Sequence, residues 1–184
     1  MKVSREQVRQ NRQRILEAAA RLFRERGFDG VSVADVMKAA GLTHGGFYGH
    51  FESKDALIQE AMAQPISATQ PRRSSAAQSA AAFADGYLSA RHRDNRADGC
   101  PVAGLGSEAA RASPEVRASL TKSIEEQIDR FSAASPGTTA ASRRRSAIAA
   151  YAAMVGAITL ARIVDDEKLS EEILAATRRS LDLN

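Results

Sequence analysis

Tryptophan is absent from this 184-residue chain, and aromatic residues make up only 5% of it. A single cysteine, Cys100, excludes an internal disulfide and is typical of proteins in a reducing compartment. No stretch alternates apolar and polar residues as a half-buried strand would. Together with abundant alanine, these absences predict an all-α protein whose helices pack through small side chains.

Two further absences bear on secretion and membranes. No apolar segment follows the basic residues of the N-terminus, so we expect no secretory signal. The nearly continuous apolar run at residues 147–161 is shorter than the roughly 18 to 20 residues that a transmembrane helix requires. We therefore expect a buried helix at this position, and a cytoplasmic protein with no membrane partner.

Positive charge is concentrated at the N-terminus. The formal net charge of the chain is +4, which by itself fits plain solubility as well as an anionic partner. The first 26 residues carry eight Lys and Arg against three Glu, a net charge of +5. This end of the molecule would therefore attract a phosphate backbone.

Signals for helix starts and ends recur along the first third of the chain. The predicted starts are at Ser4 (with Gln7), Ser32 (with Asp35), Thr43 and Ser53, and the predicted ends are at Gly27 and Gly41. A polar, proline-containing stretch at 64–75 then predicts a linker. Further helices are predicted at 76–90, 101–112, 114–133, 142–164 and 170–181, with loops at 91–99 and 135–141. We place one domain at residues 1–62 and a second at 63–184.

The segment SVADVMKAAGLTHGGFYGHFESK, residues 32–54, contains two short helices joined by a glycine turn, which is the helix-turn-helix arrangement. Its second helix carries Gly45, Gly46 and Gly49, and each interior helical glycine costs about 1 kcal/mol relative to alanine. A sequence tolerates that cost where another molecule approaches the backbone closely. The neighbouring polar residues favour DNA as that molecule.

A helical wheel of 100° per residue separates the two faces of this helix. Phe47 and Phe51 form the inward anchor, while the three glycines and Tyr48 face outward. His44, at the start of the helix, is the best candidate for direct base readout.

The segment SVADVMKAAGLTHGGFYGHFESKDAL, with the preceding LFRERGFDGVSV, resembles the N-terminal signature of the TetR family of bacterial transcriptional repressors. The resemblance is dense over residues 9–62. Two C-terminal segments, DGCPVAGLGSEAAR and AAMVGAITLARIVDDEKLSEEILAATRR, look like a subset of the family. The resemblance implies an N-terminal three-helix helix-turn-helix domain and a C-terminal helical domain for ligand binding and dimerisation. It assigns phosphate contacts to Ser32, Thr43, Tyr48, His50 and Lys54, and base readout to His44, Gly45 and Gly46.

Several of these residues have alternative roles. Tyr48 and His50 could instead close the small core, and Ser32 and Ser53 could act only as helix caps. His44 and His50 lie six residues apart and do not share a helix face, so we expect no metal site there, and no cofactor.

A helix-turn-helix protein usually reads a palindrome as a dimer. We expect the helix at 142–164, paired with that at 170–181, to form a four-helix bundle with a second copy. The candidate interface residues are Tyr151, Met154, Val155, Ile158, Ile173, Leu174 and Leu181. The alternative is that the long helix is buried within one subunit.

The family resemblance also implies a small-molecule inducer that binds in the C-terminal domain. Candidate contacts are Met62, Phe83, Tyr87, Cys100, Glu108 and Phe131, each of which could instead be a core or solvated residue. Cys100 directly precedes Pro101 at a predicted helix start, where a thiol is more reactive, although a buried inert cysteine is the alternative.

The sequence therefore predicts a homodimeric repressor that binds a palindromic operator in double-stranded DNA and is released by a small-molecule inducer. One alternative is a repressor that senses oxidants or electrophiles through Cys100. An enzyme with a DNA-binding head and an unspecific architectural DNA-binding protein are further alternatives. We expect no enzyme, because no nucleophile–base pair supports one and His92 is the only histidine outside the head.

Overall fold

The computed structural model describes residues 4–63 and 79–181, and all regular structure within these ranges is helical. The prediction of an all-α fold is confirmed. The helices are α1 (Arg5–Arg26), α2 (Val33–Ala39), a 3-10 helix (His44–Gly49), α3 (Lys54–Ala63), α4 (Ala80–Tyr87), α5 (Ala90–Asp94), α6 (Pro101–Ala109), α7 (Pro114–Ser132), α8 (Ala140–Ile163) and α9 (Glu167–Ser180).

Side-chain caps begin the first two helices. Ser4 Oγ accepts the Gln7 amide at 3.1 Å, but the Gln7 side chain donates to Asn11, so the predicted reciprocal box is only half present. At α2 the capping box is complete, because Ser32 Oγ accepts the Asp35 amide and Asp35 accepts the Ser32 amide. The start of α2 is therefore determined locally.

Glycine ends both helices, as predicted. Gly27 follows α1 with a φ of 80°, and Gly41 follows α2 with a φ of 67°. Both values lie in the left-handed region, where only glycine is free of a Cβ clash.

The region predicted as a helix to residue 90 and a loop from 91 to 99 is organised differently. α4 ends at Tyr87, and Ser89 Oγ accepts the His92 amide at 3.2 Å to start the short helix α5. The predicted linker at 64–75 and the start of the predicted helix at 76 lie outside the described residues.

The last two helices begin earlier than predicted. Thr139 forms a capping box with Ser142, so α8 starts at Ala140. Asp166 Oδ1 accepts the amides of the two residues that follow Glu167, so α9 starts at Glu167. Thr139 and Asp166 cap these two helices. From the sequence alone, nearby serines were equally good candidates for the caps.

Buried side chains form two clusters. The first joins α1, α2, the 3-10 helix and α3 to α6 and α7 through residues such as Leu105 and Leu120. The second joins α4, α7, α8 and α9 around Phe131 and Met154. The N-terminal head, from α1 to α3, thus shares its core with helices beyond the predicted boundary at 62/63. That boundary stays a prediction.

Among the described residues, α8 is the one helix long and apolar enough to cross a membrane by length and composition. The core helix of a soluble protein passes the same test. Seven of its residues are buried against the rest of the chain: Ala147, Ala150, Tyr151, Met154, Ala157, Ile158 and Ala161. Core packing therefore accounts for part of its apolar composition.

Two glycines of α6 form a matched pair for testing how closely α6 approaches α1. A Cβ on Gly106 would meet no heavy atom within 4 Å, so Gly106→Ala should raise the free energy of unfolding by about 0.5 to 1 kcal/mol. A Cβ on Gly104 would lie 3.3 Å from the carbonyl oxygen of Arg24, so Gly104→Ala should gain less or destabilise. Urea denaturation measures both, and equal stabilisation would contradict a close contact.

Candidate nucleic-acid interface

The glycine-rich segment forms a six-residue 3-10 helix, His44–Gly49. The Gly46 amide donates to the Thr43 carbonyl at 3.1 Å, and the His50 amide donates to the Phe47 carbonyl at 2.8 Å. Glycines weaken the preference for an α-helix, and 3-10 geometry occurs in short pieces of a few residues. The predicted α-helical geometry was therefore wrong for this segment.

Phenylalanine anchors the inward side of this helix. Phe47 and Phe51 are 0% and 3% exposed, and their rings stack with centroids 5.8 Å apart. The guanidinium of Arg12, on α1, lies 4.5 Å from the centroid of the Phe51 ring and pairs with Glu60 of α3 at 2.5 Å. α1 and α3 therefore hold the segment from behind.

The outward face consists of three exposed glycines and Tyr48, which is 71% exposed. A Cβ on Gly45 or Gly49 would meet nothing within 4 Å, and on Gly46 the nearest atom would be 3.7 Å away. None of the three has a positive φ. Neither packing within the described chain nor backbone conformation requires glycine here, so close approach of another molecule is the remaining physical reason.

Exposed polar groups flank this face. Thr43 makes no capping hydrogen bond through its side chain, which leaves its hydroxyl available to an outside acceptor. His44 is exposed at the start of the helix. The exposure of Tyr48 removes the alternative that this ring closes the core.

The two serines act as caps. Ser32 directs its amide, at 2.9 Å, and its hydroxyl, at 2.5 Å, to Asp35 Oδ2, and these bonds hold the pKa of Asp35 below its usual range. Ser53 Oγ accepts the Ala56 amide at 3.0 Å, next to the half-buried Lys54. The phosphate contacts of these three residues stay predictions.

His50 is half-buried, so its exposure does not decide between a phosphate contact and a role in closing the core. Its Nδ1 is buried and has no hydrogen-bond partner among the described residues. Only the opposite edge of the ring can reach a phosphate, and that contact too stays a prediction.

Comparison with known proteins identifies the head. A family model described as "Bacterial regulatory proteins, tetR family" matches residues 15–61. The HTH-type transcriptional repressor DhaR of Mycobacterium sp. (strain GP1) is 30% identical over 124 residues, which are 65% of this chain and 63% of DhaR. Residues 15–61 are therefore a TetR-family head. The HTH-type transcriptional regulator AcrR of Shigella flexneri is 39% identical over 57 residues, which are 31% of this chain and 26% of AcrR.

The chain thus spans less than two thirds of the length of either relative. Solved structures extend the likeness of fold to nearly the whole chain. Escherichia coli NemR in its reduced form has a TM-score of 0.67 at 23% identity, covering 94% of this chain and 98% of that one. A TetR-family regulator from Agrobacterium tumefaciens has a TM-score of 0.71 at 21% identity, covering 95% and 98%. The TetR-type head and the C-terminal helices therefore share one known architecture.

Four of the six candidate ligand contacts meet in the second cluster. The Phe83 ring stacks on Tyr87 with centroids 5.8 Å apart and meets Phe131 edge-on at 5.1 Å. Cys100 Sγ lies 3.8 Å from the hydroxyl oxygen of Tyr151. Tyr151 therefore belongs to this cluster, although the sequence placed it at the dimer interface.

The other two candidates lie elsewhere. Met62 is buried in the first cluster, within the head. Glu108 Oε2 accepts the Phe28 amide at 2.6 Å, directly after α1. Met62 and Glu108 therefore lie apart from the other four candidates, because spacing along the chain does not show which core a helix end faces, and their ligand contacts stay predictions.

The predicted dimer residues are mostly buried within the chain, and their place in an interface stays a prediction. Tyr151, Met154, Ile158 and Leu174 are at most 6% exposed and belong to the core of one subunit. Val155, Ile173 and Leu181 are half-buried at its edge. An interface on α8 would have to use the opposite face of the helix.

Sequence reasoning missed Arg24, which is 7% exposed within α1. Its Nε donates to the Ala97 carbonyl at 2.6 Å. Burial lowers the pKa of Arg24 to about 10, with Asp98 opposing the shift, so the guanidinium stays charged at neutral pH. The available signal was its position one turn after Ala20, on the buried face of the helix.

The glycine face leads to a direct test. Gly45→Ala and Gly49→Ala should leave the free energy of unfolding unchanged or higher, since neither methyl group meets a neighbour. Each should weaken DNA binding by about tenfold or more, because an added methyl group in a close-packed contact costs roughly 1 to 3 kcal/mol. Thermal denaturation and fluorescence anisotropy on footprinted genomic fragments measure the two effects.

Gly106→Ala is the matched control for both variants. It also places a methyl group in open space, but on α6, so its DNA affinity should equal that of the unaltered protein. Unchanged DNA affinity in both head variants would contradict the assignment of this face to DNA.

Proposed function

We propose that this protein is a homodimeric transcriptional repressor that binds a palindromic operator in the cytoplasm and is released by a small-molecule effector. The observation that carries the proposal is the outward face of the 3-10 helix. Its exposed glycines have no role in the packing or backbone geometry of the described chain. Membership of a family of DNA-binding regulators supports the same conclusion, and we propose no catalytic activity.

Helix α8 offers a surface for a second copy of the chain. Opposite its core face, exposed apolar residues continue over roughly 20 Å of helix. They are Ile148, Ala152, Gly156, Leu160 and Ile163, of which Leu160 and Ile163 are 53% and 71% exposed. A Cβ on Gly156 would meet nothing within 4 Å, which leaves room for another helix. A second copy fits this stripe because a palindrome is read by two identical heads.

Helix α6 supports a physical link between effector and head. Its first turn begins at Cys100, in the second cluster, while Leu105 lies in the first. Its last turn carries Glu108, which bonds to Phe28 just after α1. An effector that displaces α6 would therefore move the turn between α1 and α2.

Release from the operator follows from geometry. Two heads that read successive major grooves must lie about 34 to 36 Å apart. An effector that binds better to a dimer with another spacing shifts the population away from the DNA-bound form.

Genome-wide footprinting tests the proposal. The purified protein should protect discrete palindromic sites. Leu160→Glu should produce monomers in sedimentation equilibrium and lower operator affinity by about tenfold or more, because a buried unpaired charge opposes association. Ala118→Glu, on the exposed side of α7, is the control and should change neither property. Binding that is salt-sensitive but indifferent to sequence would contradict the repressor and favour an architectural protein.

The position of Cys100 favours a second candidate function, a repressor that senses oxidants or electrophiles. Cys100 is the N-cap of α6, and its amide donates to His92 Nε2 at 3.0 Å. An added group on the thiol would displace the helix that contacts α1. Against this, Cys100 is only 5% exposed, which suits an inert core residue.

Cys100→Ser separates these roles. If the thiol is the sensor, the variant should bind the operator with affinity within about twofold of the unaltered protein. It should no longer be released by hydrogen peroxide or benzoquinone in an electrophoretic mobility assay. If these reagents release the variant from the operator as efficiently as they release the unaltered protein, Cys100 is not the sensor.

A further inference from the structure

Two buried polar atoms of the C-terminal helices have no partner among the described residues. Tyr87 is 7% exposed, and its hydroxyl makes no hydrogen bond of normal geometry. Gln127 is 8% exposed, and the same holds for its Oε1. Buried polar groups in folded proteins are nearly always hydrogen-bonded, so both atoms call for a partner from outside the described chain.

Aromatic rings connect the two positions. Tyr87 lies one turn after Phe83 on α4, and Gln127 lies one turn before Phe131 on α7. The Phe83 and Phe131 rings meet with centroids 5.1 Å apart. Each unpartnered residue therefore lies one helical turn from a ring of the same contact, and aromatic rings are suited to pack against a planar aromatic ligand.

The same surroundings disfavour charge. Burial raises the pKa of Tyr87 well above its ordinary value, with Cys100 adding to the shift and Arg162 opposing it weakly. Burial also raises the pKa of Tyr151. A ligand carrying a carboxylate would meet the same desolvation, whereas a neutral hydroxyl would not.

The hydroxyl groups of Tyr151 and Tyr87 differ in their hydrogen bonding. The Tyr151 hydroxyl already has the Cys100 sulfur as a partner at 3.8 Å. Cys100 also interacts with the Tyr87 hydroxyl, but without the geometry of a normal hydrogen bond, so of the two tyrosines Tyr87 is the one whose hydroxyl can take a partner from a ligand.

We propose that Tyr87 and Gln127 are the polar anchors of the effector site and that the effector is a small, uncharged aromatic alcohol. A hydroxyl group on the ligand can accept from Tyr87 or donate to the Gln127 carbonyl, while its ring packs against Phe83 and Phe131. This inference rests on the proposed function, because the ligand it describes is the effector that releases the operator.

Phenol, 1-naphthol and benzoate are the probes, titrated into the full chain by isothermal calorimetry and thermal shift. At least one alcohol should bind, and benzoate should bind about tenfold more weakly or not at all. Tyr87→Phe and Gln127→Met, which preserve side-chain size, should each weaken alcohol binding by about tenfold. Tyr151→Phe is the control and should retain affinity within about twofold.

The ligand-free variants separate a binding role from a structural one. Tyr87→Phe removes an unpaired hydroxyl, so its melting temperature should be the same as that of the unaltered protein or higher. A lower melting temperature, with no binding of either alcohol, would show that a water molecule satisfies the hydroxyl and would overturn the proposal. Equal loss of binding in Tyr87→Phe and Tyr151→Phe would overturn the role of Tyr87.

Operator binding by the ligand-free protein is measured separately. A protein that binds its operator but neither alcohol refutes this inference and leaves the repressor proposal standing. A protein that binds the alcohols through Tyr87 but protects no operator supports the site and refutes the regulatory proposal.

Discussion

The contact between α6 and α1 is the constraint on which the rest of the described structure depends. Leu105 of α6 is fully buried in the core of the head, and Glu108 bonds to the first amide beyond Gly27. A head of about 60 residues buries too little apolar surface to be strongly stable alone. Because α6 supplies part of that surface, the head and the C-terminal helices are built as neighbours with a shared core.

A buried arginine reinforces this contact. Arg24 bonds to the Ala97 carbonyl, and Arg21 pairs with Asp98 one residue later. The chain then reaches Cys100, whose amide is held by His92. One end of this short segment is thus bonded to α1 and the other enters the second core. A charge taken out of water is costly unless it is hydrogen-bonded or paired. The buried arginine therefore favours one position of the C-terminal helices relative to α1.

The 3-10 helix shows a local conflict between stability and binding. Its glycines lower helix propensity, and the described chain contains no contact or backbone strain that requires them. Natural sequences keep such local conflicts where function demands them. Stability is restored from behind, through Phe47, Phe51 and the cation over the Phe51 ring. The glycine face is therefore supported by buried aromatic packing yet nearly free of side chains.

Features that depend on a few neighbouring residues could be predicted. The cap of α2, the glycines after α1 and α2 and the inward pair of phenylalanines follow from local hydrogen bonds and periodicity. The helix type at residues 44–49 could not, because a six-residue stretch with three glycines has no strong preference. The starts of α8 and α9 were missed because Thr139 and Asp166 compete with nearby serines as caps.

By itself, the sequence determined the class of fold, the family of the N-terminal head and the outward position of the glycine face, since each follows from short-range pattern. Tertiary structure alone decided what the longer helices face. α8 is apolar on several sides, so periodicity does not show that Met154 and Ile158 lie inward while Leu160 and Ile163 lie outward. Glu108 likewise accepts the Phe28 amide just after α1, and the Tyr87 hydroxyl is buried without a hydrogen-bond partner among the described residues. These outcomes depend on contacts between residues far apart in the chain, which no local pattern encodes.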